Sequence, residues 1–338
     1  VHLTRLLLVG ALAATTVTAV PALAAPSKAG CTGAPDRALS TAKVLGLDGS
    51  YTLPAKTPTA LVLFAHGYRS WSGAWQKAMV EASAKHNAVA VAVDYRGLAS
   101  ADEFHGGWPV KAGSEDLARA AATFTAMCPS IKTTAVYSAG MGGNAAGLAI
   151  AHQPSRFTYW VDVQGATDLY GLWTSLSAIG GPCLPTGQCL PGLDTYYATT
   201  RSEIETAAGG EPYENKAGFD ALDPTTQMRA AASLGLKGAV VVHAVADSSE
   251  LYTSGAVMAA LLRAKSVPTD TYTVGSGNSG QDRTLAGEAG AGPSDPMAGA
   301  EPDGENGAIV IKTGLTALWG MVDKGGVKPA GQPYIVNG

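Results

Sequence analysis

The chain has 338 residues, 46% of them hydrophobic and 15% charged, so it can bury one large core rather than several small ones. Its formal charge of −4 excludes the basic surface that nucleic acid or an anionic membrane would require.

Residues 1–25 read as a secretory signal peptide. Arg5 is its charged start, residues 6–20 its apolar core, and Ala22-Leu23-Ala24 its small-residue cleavage site. The run is too short and too rich in Ala and Thr for a membrane anchor. A secreted, monomeric domain over residues 26–338 is therefore expected, without stable membrane insertion. Cys31, Cys128, Cys183 and Cys189 all lie in the exported part, an even count that reads as two disulfides. Cys183 and Cys189 bracket a Pro/Gly turn and should pair locally, leaving Cys31 for Cys128. A zinc site is not expected, because no histidine accompanies the cysteines at ligand spacing.

Residues 43–53 predict a first strand or hairpin. Residues 60–65 form a continuous apolar run, as in the buried middle of a parallel sheet, ending at His66-Gly67-Tyr68. A helix over 75–86 leads to a second buried strand over 88–94, closed by Asp94-Tyr95-Arg96-Gly97. A loop with Phe104-His105-Gly106-Gly107-Trp108 precedes a helix over 114–127, whose acidic start suits the helix dipole. Strands are predicted again over 133–136, 157–163, 238–245 and 269–274. Helices follow over 144–152, 252–264 and 309–322. This alternation predicts βαβ units and a mostly parallel sheet with helices on both faces. Residues 169–236 break the pattern and read as a cap insertion over the carboxyl edge of the sheet. Residues 275–306 form a long Gly/Ser/Asp/Pro stretch. Glu301, Asp303, Glu305 and Asn306 within it do not complete a calcium-ligand set.

The chemistry concentrates at Ala135-Val136-Tyr137-Ser138-Ala139-Gly140-Met141-Gly142-Gly143. A β-branched run meets a serine among small residues, and an Ala-rich helical segment follows. That is the layout of a nucleophile elbow, in which a sharp strand-to-helix turn exposes a serine hydroxyl above the sheet. Val136 departs from the G-x-S-x-G pattern, standing where its first glycine would be.

With His66-Gly67-Tyr68, Asp94-Tyr95-Arg96-Gly97, the serine stretch and Ala246-Asp247-Ser248-Ser249-Glu250-Leu251 in this order, the chain resembles an α/β-hydrolase over most of residues 40–325. The resemblance implies Ser138 as nucleophile, Asp247 as triad acid, and the backbone N–H groups of Ala139 and Tyr68 as oxyanion donors. The family's histidine belongs after the last strand, where Asn278 stands, and no histidine follows His243. An asparagine amide is no general base near neutral pH. His105, in a glycine-flanked loop at the same sheet edge, is the candidate replacement; otherwise the base is absent. His66 and His243 read as structural, His86 and His152 as residues of helix ends. Trp71, Trp75, Trp108, Trp173, Tyr68 and Tyr170 are expected in or near the mouth of the site, some of them as core and several together as the lining of an apolar pocket.

The expected activity is carboxylic-ester hydrolysis through an acyl-serine, on a small, lipid or polymer ester, without metal or cofactor. A prolyl-oligopeptidase-type peptidase shares the same core. From another class comes an extracellular binding protein that has lost turnover, favoured by Asn278 and Val136.

Overall fold

The computed structural model describes residues 30–97, 107–179, 193–244, 252–274, 308–324 and 333–336. Among the described residues nine strands form one sheet: β1 (Leu39–Ser40), β2 (Gly49–Thr52), β3 (Ala60–Ala65), β4 (Ala88–Val93), β5 (Thr133–Ala139), β6 (Tyr159–Val163), β7 (Gly238–Ala244), β8 (Thr269–Val274) and β9 (Pro333–Val336). Their spatial order is β1-β2-β4-β3-β5-β6-β7-β8-β9. Pairing is antiparallel for β1 with β2 and β2 with β4, and parallel from β4 onward.

The sequence dictates this arrangement directly. Every residue of β3 and β4 is buried, as continuous apolar runs require when helices cover both faces. One covering layer contains α3 (Val110–Met127), α4 (Met141–His152) and α9 (Tyr252–Ala264), and the other α2 (Gln76–Lys85) and α10 (Ala308–Asp323). Side chains of β5 alternate between the two layers: Val136 joins the α4 side, Ala135, Tyr137 and Ala139 the α10 side.

Several boundaries differ from expectation. The predicted first strand or hairpin over 43–53 is split into α1 (Ala42–Leu45) and β2, separated by Gly46 at φ 64°. The third helix begins at Val110, a turn earlier than its acidic residues suggest. Strand β5 continues to Ala139, and α4 begins at Met141 rather than at residue 144. Between β6 and β7, the described residues of the segment expected to break the pattern carry four helices: α5 (Leu169–Ile179), α6 (Leu193–Ala208), α7 (Lys216–Leu222) and α8 (Pro224–Ala230).

Cys31 and Cys128 form the expected disulfide, with Cα atoms 5.6 Å apart, tying the N-terminal arm to the end of α3. Cys183 and Cys189 lie outside the described residues. No helix among the described residues is long and apolar enough to cross a membrane.

Candidate functional site

The strand-to-helix turn fixes the geometry of the site. Its apex is Gly140, with φ 51° and ψ −123°, between the last residue of β5 and the first of α4. A residue with a side chain would be strained there, and such strain is what a nucleophile elbow imposes on its serine. The N–H of Gly140 donates to Val163 O at 3.2 Å, and its carbonyl accepts from Gly143 N at 2.8 Å and Ala166 N at 2.9 Å. Gly142 follows in the first turn of α4, where an added Cβ would collide with the carbonyl oxygens of Ala65 and His66. The end of β3 therefore lies directly against the start of α4. This contact leaves residue 142 no alternative to glycine.

Ser138 is two residues short of that apex, which corrects the sequence expectation. It pairs in register with Ala65 on one side and Asp162 on the other, in the middle of the sheet, and is 0% exposed. Its hydroxyl faces the core layer under α4. It donates towards Asp162 Oδ1 at 2.9 Å and Val161 O at 3.2 Å, and accepts from Trp160 Nε1 at 2.9 Å. Aligned on the apex, the motif reads Ser138-Ala139-Gly140-Met141-Gly142, with glycine at the nucleophile position. Ala139 is corrected with it: it is a strand residue opposite Val163, and the N–H that follows the apex belongs to Met141.

Asp162 is a site residue that sequence reasoning missed. Its signal is an acid inside the apolar strand Tyr159–Val163. It is 0% exposed, and its carboxyl lies against Gly165, where an added Cβ would overlap it. Burial pushes its pKa up from 3.8 to about 7, against the lowering effect of the Ser138 hydrogen bond. Among the described residues Asp162 Oδ2, Thr167 Oγ1 and the Asn144 amide have no hydrogen-bond partner, although all three residues are 0% exposed. His243, on the same face of β7, is buried as expected. Desolvation lowers its pKa from 6.5 to about 4, so it is neutral at physiological pH. Both its ring nitrogens lack a partner among the described residues.

The His66-Gly67-Tyr68 turn lies where expected, beyond the end of β3. His66 is buried, its Nδ1 is 2.9 Å from Gly67 O, and its ring stacks on Tyr95 at 4.2 Å. Tyr68 is 1% exposed, packed against Trp108 at 5.8 Å, with the Arg69 guanidinium 5.2 Å from its ring. Burial raises the Tyr68 pKa, and hydrogen bonding to Glu203 of α6 raises it further, while Thr200 opposes the rise. Glu203 Oε2 also accepts from Gly107 N at 2.8 Å.

Of the six aromatics, Trp75 is a core residue, fully buried and stacked on Phe64 at 5.3 Å. Trp71 is 50% exposed, and Trp173 and Tyr170 pack around Phe219 of α7. His86 caps α2, stacked on Trp319 at 4.0 Å and bound to Asp323 at 2.8 Å. His152, at the end of α4, is exposed. His105, Asp247 and Asn278 lie outside the described residues. Among the described residues no group of three or more His, Cys, Asp or Glu could hold a metal ion.

No family model matches the chain, and no curated protein matches it. Solved structures do. An inhibited esterase B from Lactobacillus rhamnosis superposes with a TM-score of 0.53 at 14% identity, over 82% of each chain. A puromycin-hydrolyzing peptidase of Mycobacterium tuberculosis gives 0.51 at 14% identity, over 89% of this chain and 41% of that one. DphMB1 gives 0.50 at 20% identity, over 84% of this chain and 85% of that one. The chain spans between 29% and 41% of the length of three peptidase chains that it matches. At these identities the likeness is one of fold.

Proposed function

Given that the chain has the α/β-hydrolase fold, we propose that it binds a ligand at the carboxyl edge of its sheet without turning it over. One observation carries this reading: the elbow apex is Gly140, a residue with no side chain, at φ 51° and ψ −123°. Acyl transfer needs an atom that attacks the carbonyl, and the backbone at this position offers none. Ser138 does not replace it, because its hydroxyl is sealed in the layer beneath α4 and committed to Trp160, Asp162 and Val161. Asn278 at the expected histidine position points the same way, since a site without a nucleophile exerts no demand for a base.

The ligand class that best suits this frame is a small or lipid-like carbonyl compound, an ester or a polymer fragment, held by the backbone donors of the elbow and by Tyr68. The signal peptide read from residues 1–25 and the Cys31–Cys128 disulfide support a secreted protein, which we propose acts as a monomer. The helices between β6 and β7 are proposed as the cap. The competing reading, ester or peptide hydrolysis through Ser138 with Asp247 and His105, requires α4 to move off the sheet so that Ser138 can reach solvent.

Hydrolysis of p-nitrophenyl butyrate separates the two. On the binding reading, the wild-type protein and Ser138→Ala both remain at the buffer rate, and an ester that raises the melting temperature is recovered chemically intact. Saturable turnover that disappears in Ser138→Ala would overturn it.

A further inference from the structure

We infer that Glu203 is the positioning residue that fastens helix α6 over the ligand site and so controls access to it, an inference that rests on the binding reading above. Two separate parts of the chain, one at Tyr68 and one at Gly107, meet this one side chain of α6. Its Oε2 accepts the N–H of Gly107 at 2.8 Å, and its carboxylate is close enough to the Tyr68 hydroxyl to raise that group's pKa. Thr200, three residues earlier and therefore on the same face of α6, also acts on the Tyr68 hydroxyl, lowering its pKa against the effect of Glu203. Tyr68 ends the turn whose carbonyl neighbours, Ala65 and His66, press against the first helical turn after Gly140. Gly107, at φ 106°, lies beside Gly97, whose carbonyl oxygen would be 3.7 Å from a Cβ at residue 107. Gly97 and Gly107 thus lie close together at the point Glu203 grips.

The packing around this contact is closed. Tyr68, Trp108, Tyr197 and Thr200 are each no more than 4% exposed. A charged acceptor makes a stronger hydrogen bond than a neutral one, and removing it leaves the Gly107 N–H without its acceptor and the Tyr68 hydroxyl without the carboxylate beside it. The cheapest response is for α6 to lift and let water reach the vacated contact. Lifting uncovers the turn formed by residues 66–68 and, behind it, the elbow. Glu203 does not touch the ligand on this account; it acts through Tyr68 and Gly107.

A thiol placed at the elbow reports access without needing a catalytic base. Gly140→Cys puts a cysteine at the helix N-terminus, where thiolate formation is favoured, and its reaction with a small disulfide reagent gives a rate. Adding Glu203→Ala should raise that rate at least tenfold, with Glu203→Gln between the two because the amide oxygen still accepts the Gly107 N–H. Adding His86→Ala, which breaks the Trp319 stack and the Asp323 bond on the opposite layer, should destabilise the protein yet leave the rate unchanged. Equal rates with and without Glu203→Ala, or the same acceleration from His86→Ala, would overturn the latch. A thiol that reacts only in denaturant in every background would instead show that the elbow does not face a ligand site. That outcome overturns the binding reading as well.

Discussion

Replacing Asp162 with asparagine should change how stability depends on pH. The carboxyl is fully buried, and burial holds its pKa near 7 instead of 3.8. The folded state therefore keeps a proton that the unfolded chain has released. Linkage then lowers stability as pH rises from about 4 to about 7, and above about 7 the penalty is complete because both states are ionised. At 1.36 kcal/mol per pH unit, the shift corresponds to roughly 4 kcal/mol as an upper bound. Asparagine keeps an oxygen for the Ser138 hydroxyl but adds a buried amide without an acceptor, a pH-independent cost of about 1–3 kcal/mol. Asp162→Asn should accordingly be less stable than wild type near pH 4.5 and more stable near pH 8.5. Urea unfolding with the disulfide intact, at several pH values between these, measures the difference. A stability difference that stays constant across the range would refute the reasoning, since it would mean that the buried carboxyl ionises as easily folded as unfolded.

His243 carries the opposite sign. Its folded pKa is depressed from 6.5 to about 4, so its contribution is present above 6.5 and lost as pH falls towards 4. Across that window the two groups offset each other in wild type, so His243→Gln should expose the falling slope of Asp162 in the same unfolding series. Ser138→Ala should cost about 1–3 kcal/mol by leaving Trp160 Nε1 and Asp162 Oδ1 unpaired, measured by chemical denaturation. Reducing the Cys31–Cys128 bond, which spans 97 residues, should lower stability by up to roughly 4–5 kcal/mol on the chain-entropy view. Comparing unfolding midpoints with and without reductant tests that.

The layered fold was legible in the sequence because burial on both faces leaves a direct trace. Residues 60–65 and 88–93 are apolar without interruption, and both are central parallel strands. The turns after β3 and β4, at His66-Gly67-Tyr68 and Asp94-Tyr95-Arg96-Gly97, were equally readable. The elbow's register was not, because a serine and a glycine two positions apart both fit a turn rich in small residues. Val136 was the available warning: the elbow pattern calls for glycine two residues before its nucleophile, and valine there already signalled continuing strand. Gly142 was the second, since centring the pattern on Gly140 makes it the obligatory small residue against Ala65 and His66. Asp162 and Glu203 escaped for a different reason. Each draws its meaning from a tertiary contact, with Ser138 in one case and with Tyr68 and Gly107 in the other, and no local pattern encodes such a contact.

The central claim is that the elbow of this α/β-hydrolase fold carries no nucleophile. Exposure of the folded protein to an alkyl fluorophosphonate, followed by intact-mass measurement and peptide mapping, tests it most directly. The account predicts an unchanged mass; a stoichiometric adduct mapping to Ser138 would contradict it.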